Sequence, residues 1–343
     1  MRRTAGFSLV ELMVAVAILA TAMMYLTETF IRTHKTSVSV EQVSEAQQNL
    51  RVISELIERD LRLAGYLVPH HAAVCGNDST TGADTLIVSN TDVLRLVSEL
   101  ETLNPDAMSG DLGAPVSGLG VGSSLGGTGT TVSVQQNWLD VQADGPDFSS
   151  GGGVIFVNRS DPNGRSACGV INSYTGGAAG FPNGATLSVD FVSGSLGPLS
   201  SPIDVVAIPA HAYVVTSADP VTGRPAQLHR DGLLIASDVE DLQLGLYFDL
   251  DDDLIIDSGE FVGDNGEMVG DSIAFGYDPT AIDGRTLRQV QINLVTATRD
   301  DDPNSNAKAM QQQLTGNRAS SSLPADDRKR RRVYTAMVRL RNV

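Results

Sequence analysis

Carboxylates are the residues of this chain whose spacing most suggests chemistry. From Asp249 the sequence reads Asp-Leu-Asp-Asp-Asp-Leu-Ile-Ile-Asp-Ser-Gly-Glu, ending at Glu260. Acidic side chains fall at the first, third, fifth, ninth and twelfth places: Asp249, Asp251, Asp253, Asp257 and Glu260. Ile255, at the seventh, offers a backbone carbonyl. Ca²⁺ takes six to eight oxygens at about 2.4 Å, and alternating carboxylates plus one carbonyl meet that demand. Without a cation these groups repel one another, so the stretch is either a calcium loop or a solvated acidic turn. Mg²⁺ suits it less, because that ion avoids dedicated all-protein cages. A second carboxylate stands apart. Glu11 is the one charge in an apolar run from Phe7 to Leu26. An ionised group inside such a segment is costly and needs a partner.

Other chemistry is sparse. The five histidines are His34, His70, His71, His211 and His229. His70 and His71 are adjacent, so they point to opposite sides of an extended chain, and no third ligand accompanies them. There is no Gly-x-Ser-x-Gly nucleophile elbow. The string Gly118-Leu119-Gly120-Val121-Gly122 lacks the Lys-Ser/Thr of a phosphate-binding loop. With 41 acidic residues, any pair chosen for glycoside chemistry is arbitrary. The expectation is a protein that is not an enzyme. The formal net charge of −17 argues against nucleic acid as a partner. The basic run Arg328 to Arg332 is short and has no interleaved aromatics; it pairs with acidic neighbours or stays solvated.

The elements that must position these groups begin with a helix. A run of about 20 apolar residues spans roughly 30 Å as a helix, the thickness of a bilayer's hydrocarbon core. The helical pattern continues beyond it. Val43, Ala46, Leu50, Ile53, Ile57, Leu61 and Ala64 recur at steps of three and four, with charged residues such as Glu45, Arg51, Glu55 and Glu58 between them. No Gly or Pro interrupts Phe7 to Ala64, and Gly65 and Pro69 then supply a stop. One helix of about 58 residues would be roughly 87 Å long. The rest reads as β-rich: 34 glycines and 14 prolines punctuate short β-branched segments. Strands are expected over 85–97, 131–135, 153–158, 168–172, 185–192, 203–208, 212–216, 227–235, 239–248, 287–298 and 333–341. Residues 109–130 read as a flexible Gly/Ser loop and 299–327 as a long polar loop. The fold class is α+β: a long N-terminal helix packed on an antiparallel β-sheet domain.

The stretch Gly6-Phe7-Ser8-Leu9-Val10-Glu11-Leu12, preceded by Arg2 and Arg3, resembles the type IV prepilin motif. A secretory signal peptide with a small-residue cleavage site at Ala20-Thr21-Ala22 is the plainer reading, but it leaves Glu11 unexplained. The resemblance implies that a prepilin peptidase cuts after Gly6 and that Phe7 becomes the N-methylated amino terminus. It also implies that Glu11 neutralises the terminal amine of a neighbouring subunit during docking. Residues 1–6 are then a leader, 7–31 a transmembrane and filament-core segment, 32–66 an amphipathic continuation, and 67–343 a periplasmic or extracellular globular domain. Export to an oxidising compartment makes a disulfide between Cys75 and Cys168 the default, with two buried thiols as the alternative. The bridge would close a loop of about 93 residues and contribute roughly 4 kcal/mol on the chain-entropy model.

Further along, Arg62-Leu63-Ala64-Gly65-Tyr66, the acidic turn after Val239 to Phe248, and the final segment Val333 to Asn342 resemble PilW-like minor pilins. The acidic turn itself is similar to the calcium loop of EF-hands and dockerins, although Leu254 stands where that motif has Gly and a strand precedes it. The PilW-like resemblance implies a subunit of an inner-membrane priming complex for pilus assembly. That subunit is a single-pass membrane protein which later sits at the pilus tip at the cell surface. Its partners would be other minor pilins, the major pilin and a PilY-type adhesin. Two alternatives stay open: a GspJ-like type II secretion pseudopilin, and a membrane-tethered calcium-binding receptor.

Overall fold

The computed structural model describes residues 8–65, 68, 72–77, 82–89, 114–135, 148–160, 166–176, 184–194, 196, 198–219, 221–249, 253, 255–256, 261–263, 287–299 and 329–340. The fold is α+β. Among the described residues there is one α-helix, α1, from Leu9 to Leu63. It ends where Gly65 takes a φ of 81°, a left-handed conformation that a Cβ disfavours. Ser89 Oγ accepts the Gly65 N–H at 3.1 Å, so the turn after the helix is fixed to the domain. Residues 1–45 and 46–343 form two compact units. In the first, the side chains from Ser8 to Ser37 are exposed.

In the second unit, the helical stripe Leu50, Ile53, Ile57, Leu61 and Ala64 is buried in the main core. Its counterpart is a four-stranded antiparallel sheet of β11 (Val239–Phe248), β12 (Phe261–Gly263), β13 (Leu287–Ala297) and β14 (Arg331–Arg339), in the order β12-β11-β13-β14. Alternate residues share a face, and the register aligns Leu246, Val290 and Val338 as well as Leu242 and Leu294. All of them enter the core that holds the stripe.

A second sheet begins with β1 (Val74–Gly76) and β2 (Leu86–Ser89). It continues with β3 (Ala114–Ser117), β4 (Thr130–Gln135), β5 (Gly153–Asn158), β6 (Ser166–Gly176), β7 (Gly184–Gly194) and β8 (Val205–Thr216). The hairpin of β9 (Gln227–Arg230) and β10 (Leu233–Ser237) extends it. The pairings β8-β3-β4-β7-β6-β5 return to β8, so six antiparallel strands close into a barrel. Val132, Val134, Val154, Phe156, Leu187 and Val189 belong to its interior core. A barrel of this strand number is filled by its own side chains. The intervening residues Ile155, Val157, Val206 and Ile208 belong to the helix-bearing core instead. β5 and the first half of β8 are therefore buried on both faces. Cys168 on β6 is bonded to Cys75 on β1, which ties the barrel to the first strand.

β1 and β12 fall outside the expected strands, and three further departures concern the barrel and its hairpin. Residues 203–208 and 212–216 are not two strands, because β8 runs unbroken through Pro209. Pro209 faces Val154 of β5 on one side. On the other, β3 pairs only as far as Ala207 and β2 begins at Ala210, so no ladder N–H is needed there. Residues 227–235 are two strands, turned at Asp231 and Gly232 with φ of 53° and 76°. Both central residues have positive φ, as a tight hairpin turn requires. Finally, part of 109–130 is ordered. It contributes β3 and the buried Leu125, which bridges to Leu196. Of the strand expected over 85–97, Leu86–Ser89 is described and 90–97 lies outside the described residues, as does most of 299–327.

Candidate functional site

The N-terminal half of α1 is long and apolar enough to cross a membrane. Leu9, Val10, Leu12, Met13 and Met24 expose more than half of their surface. A contiguous apolar surface of that extent calls for lipid or other helices. Hydroxyls in and just after the run donate to backbone carbonyls of the preceding turn: Thr21 to Ile18 at 2.8 Å, Thr27 to Met23 at 2.8 Å and Thr29 to Tyr25 at 2.8 Å. Such bonds satisfy polar groups where water is absent. The apolar stretch ends at an ion pair between Glu28 and Arg32, 2.6 Å apart.

Glu11 lies in the first turn, and its Oε2 accepts the Ser8 N–H at 3.0 Å. Ser8-x-x-Glu11 is the half of a capping box in which the third helical residue reaches back to the N-cap amide. The carboxylate also sits at the positive end of the helix dipole. Both effects lower the cost of holding a charge here. The cap is legible in the sequence as a Ser-x-x-Glu pattern. Gly6 and Phe7 lie outside the described residues.

The structure divides the proposed calcium donors. Asp249 is fully buried and its Oδ2 accepts from Arg288 Nε at 3.1 Å. Its Oδ1 is buried and has no hydrogen-bond partner among the described residues. Asp253 Oδ1 accepts the Ile255 N–H at 2.8 Å, a local turn. Asp251, Asp257 and Glu260 lie outside the described residues, and among the described ones no three His, Cys, Asp or Glu gather as a metal site. His70 and His71 also lie outside. Within the basic run, Arg331 is buried and pairs with Glu240, Nε to Oε2 at 2.7 Å.

A polar cluster that sequence reasoning missed joins α1 to the barrel-bearing sheet. Asp60, on the buried side of the helix, accepts Tyr213 Oη at 2.6 Å and Arg230 Nε at 3.1 Å. The Arg230 guanidinium also lies 6.0 Å from the Tyr213 ring centroid. Asp231 accepts the Ala212 N–H at 2.9 Å and contacts His211 Nδ1 at 2.7 Å. Burial, and then the negative charge of Asp60, push the Tyr213 phenol well above its ordinary pKa. Burial alone would lower Arg230, but Tyr213 and Asp60 outweigh it and hold the guanidinium more firmly protonated. Beside this cluster, Gly151 packs on the hairpin turn. A Cβ at Gly151 would stand 2.6 Å from Gly232 Cα.

Residues 1–27 match the family model described as the prokaryotic N-terminal methylation motif. No curated protein and no solved structure matches the chain. The motif, the membrane-capable helix and the sheet domain together support a type IV pilin-like protein. The motif implies processing by prepilin peptidase and assembly with other pilins.

Proposed function

We propose that the chain is a PilW-like minor pilin that joins an inner-membrane complex priming type IV pilus assembly, then sits at the pilus tip and supports a PilY-type adhesin. It acts by assembly and not by catalysis. The observation that carries this reading is the placement of Glu11. A single carboxylate, satisfied within its own first helical turn, stands at the head of an apolar segment that runs to Leu26 and is exposed on every side. A neighbouring subunit's amine would find there a pre-positioned counter-charge. The inserted barrel adds bulk that is harder to repeat along a shaft than to place once at an end.

Calcium at residues 249–260 belongs to the same reading. Asp249 Oδ1, buried and without a partner among the described residues, supports it, and the Arg288 charge beside it would weaken the affinity. The test of the main reading is mass spectrometry of the native mature protein. It should begin at N-methylated Phe7, and Glu11→Ala should be processed yet fail to assemble. A native terminus at Met1 or Met23, or normal piliation in the Glu11→Ala strain, would overturn it.

A further inference from the structure

The last strand carries a surface that no role above uses. β14 pairs with β13 on one side, and among the described residues nothing pairs with its other edge. The register fixes which groups face outward. Leu340 N donates to Arg288 O and Thr298 N donates to Arg330 O, so the even-numbered residues of β14 bond to β13. Backbone bonding alternates along an antiparallel strand, so Val333, Thr335, Met337 and Arg339 direct their N–H and C=O groups to the open edge. Unpaired edges of this kind accept another strand.

Beside this edge lies a cavity of about 520 Å³ between α1 and the start of β14, with Leu50, Val333 and Tyr334 among its lining residues. Its charges are unequal in freedom. Glu55 pairs with Arg51 at 3.2 Å. Glu58 pairs with Arg62 at 2.9 Å and accepts from Tyr334. Arg332, also lining the cavity, has no ion-pair partner among the described residues, and neither has Arg339 at the far end of the strand. Among the described residues the acids are neutralised from within, and Arg332, on the face of Tyr334, and Arg339, on the opposite face, are left over. On a chain of net charge −17 this local excess matters, because screening limits each charge to a reach of about 8 Å.

We propose that the β14 edge is a docking site for an extended acidic segment of another pilin-class subunit. The segment adds as a strand and sets a carboxylate on Arg332, on the face of β14 that borders the cavity. The proposal rests on the chain being an assembling subunit, and the mature-terminus measurement tests that separately.

The experiment uses the full chain in detergent micelles and a capped peptide, Thr-Glu-Val-Glu-Val-Glu-Thr, with fluorescence anisotropy and amide hydrogen exchange as readouts. The peptide should bind and slow exchange at Val333, Thr335 and Met337. Arg332→Glu should weaken binding about tenfold or more, as reversal of an interfacial charge does. Met337→Pro should abolish binding while leaving the β13 ladder and the circular dichroism spectrum intact, since the N–H it removes points outward. Equal binding of a Lys-for-Glu peptide, equal binding of a peptide with alternate N-methylated amides, or slow exchange at those three amides before any peptide is added would overturn the proposal.

Discussion

Replacing Asp60 with Ala should be among the most damaging polar substitutions in the domain. Asp60 is 5% exposed and is the common acceptor for Tyr213 Oη and the Arg230 guanidinium. Its removal leaves a buried hydroxyl without its acceptor and a partly buried cation with only Asp231, 4.0 Å away. Breaking one side of a buried pair costs about 3–5 kcal/mol. The Arg230 side chain retains 22% exposure and recovers some hydration, so the lower end, about 3 kcal/mol, applies. At roughly 2 °C per kcal/mol for a domain of this size, Tm should fall by about 6 °C. Asp60→Asn keeps an acceptor for Tyr213 and should cost about half as much. Urea titration of the full chain in mild detergent, followed by circular dichroism, measures these losses. A cycle with Tyr213→Phe should show coupling of at least about 1 kcal/mol, because the two groups share one hydrogen bond. An Asp60→Ala protein within about 0.5 kcal/mol of wild type, or strictly additive losses in the cycle, would refute the claim that this cluster fastens α1 to the sheet.

The raised pKa of Tyr213 sets a pH dependence. The folded protein keeps the phenol proton above pH about 10, where the unfolded chain releases it, so stability is full below that pH and declines above it. Tyr213→Phe should flatten this alkaline slope in urea midpoints measured between about pH 9 and 11. Replacing Cys75 and Cys168 together with Ala should cost about 2–5 kcal/mol by the same titration, and an unchanged midpoint would deny the bridge a stabilising role. Calcium at millimolar concentration should raise the melting temperature of the full chain, and Asp251→Ala should remove the shift. A melting temperature indifferent to calcium would retire the metal site.

The helix was legible because nothing in its sequence competes with it: no Gly or Pro falls between Phe7 and Ala64, and its stripe keeps one period throughout. β5 and β11 were also readable from end to end, since breakers bound them. Barrel closure was not. An alternating strand has the same pattern in an open sheet as in a ring, and closure depends on Gly153–Asn158 meeting Val205–Ala210 across intervening strands. The hairpin at Asp231-Gly232 carried its signal in the dipeptide itself. Asp60 was visible in principle: it falls three residues after Ile57 and four before Ala64, on the stripe and not beside it. Its partners Tyr213 and Arg230 were beyond reach, because only tertiary structure brings residues so distant in sequence into contact.

Ser89 and Ala210 lie opposite each other in the pairing of β2 with β8, so the chain leaves for the barrel and returns from it at one doorway. An excursion with adjoining ends can be lengthened, shortened or exchanged with little disturbance to what lies outside it. Here only part of it is free to vary. β3, β4 and β7 could diverge under their own rules, whereas β5 and β8 lend Ile155, Val157, Val206 and Ile208 to the layer beneath the helix. A lineage that discarded the whole cassette would have to rebuild the floor on which its helix stands.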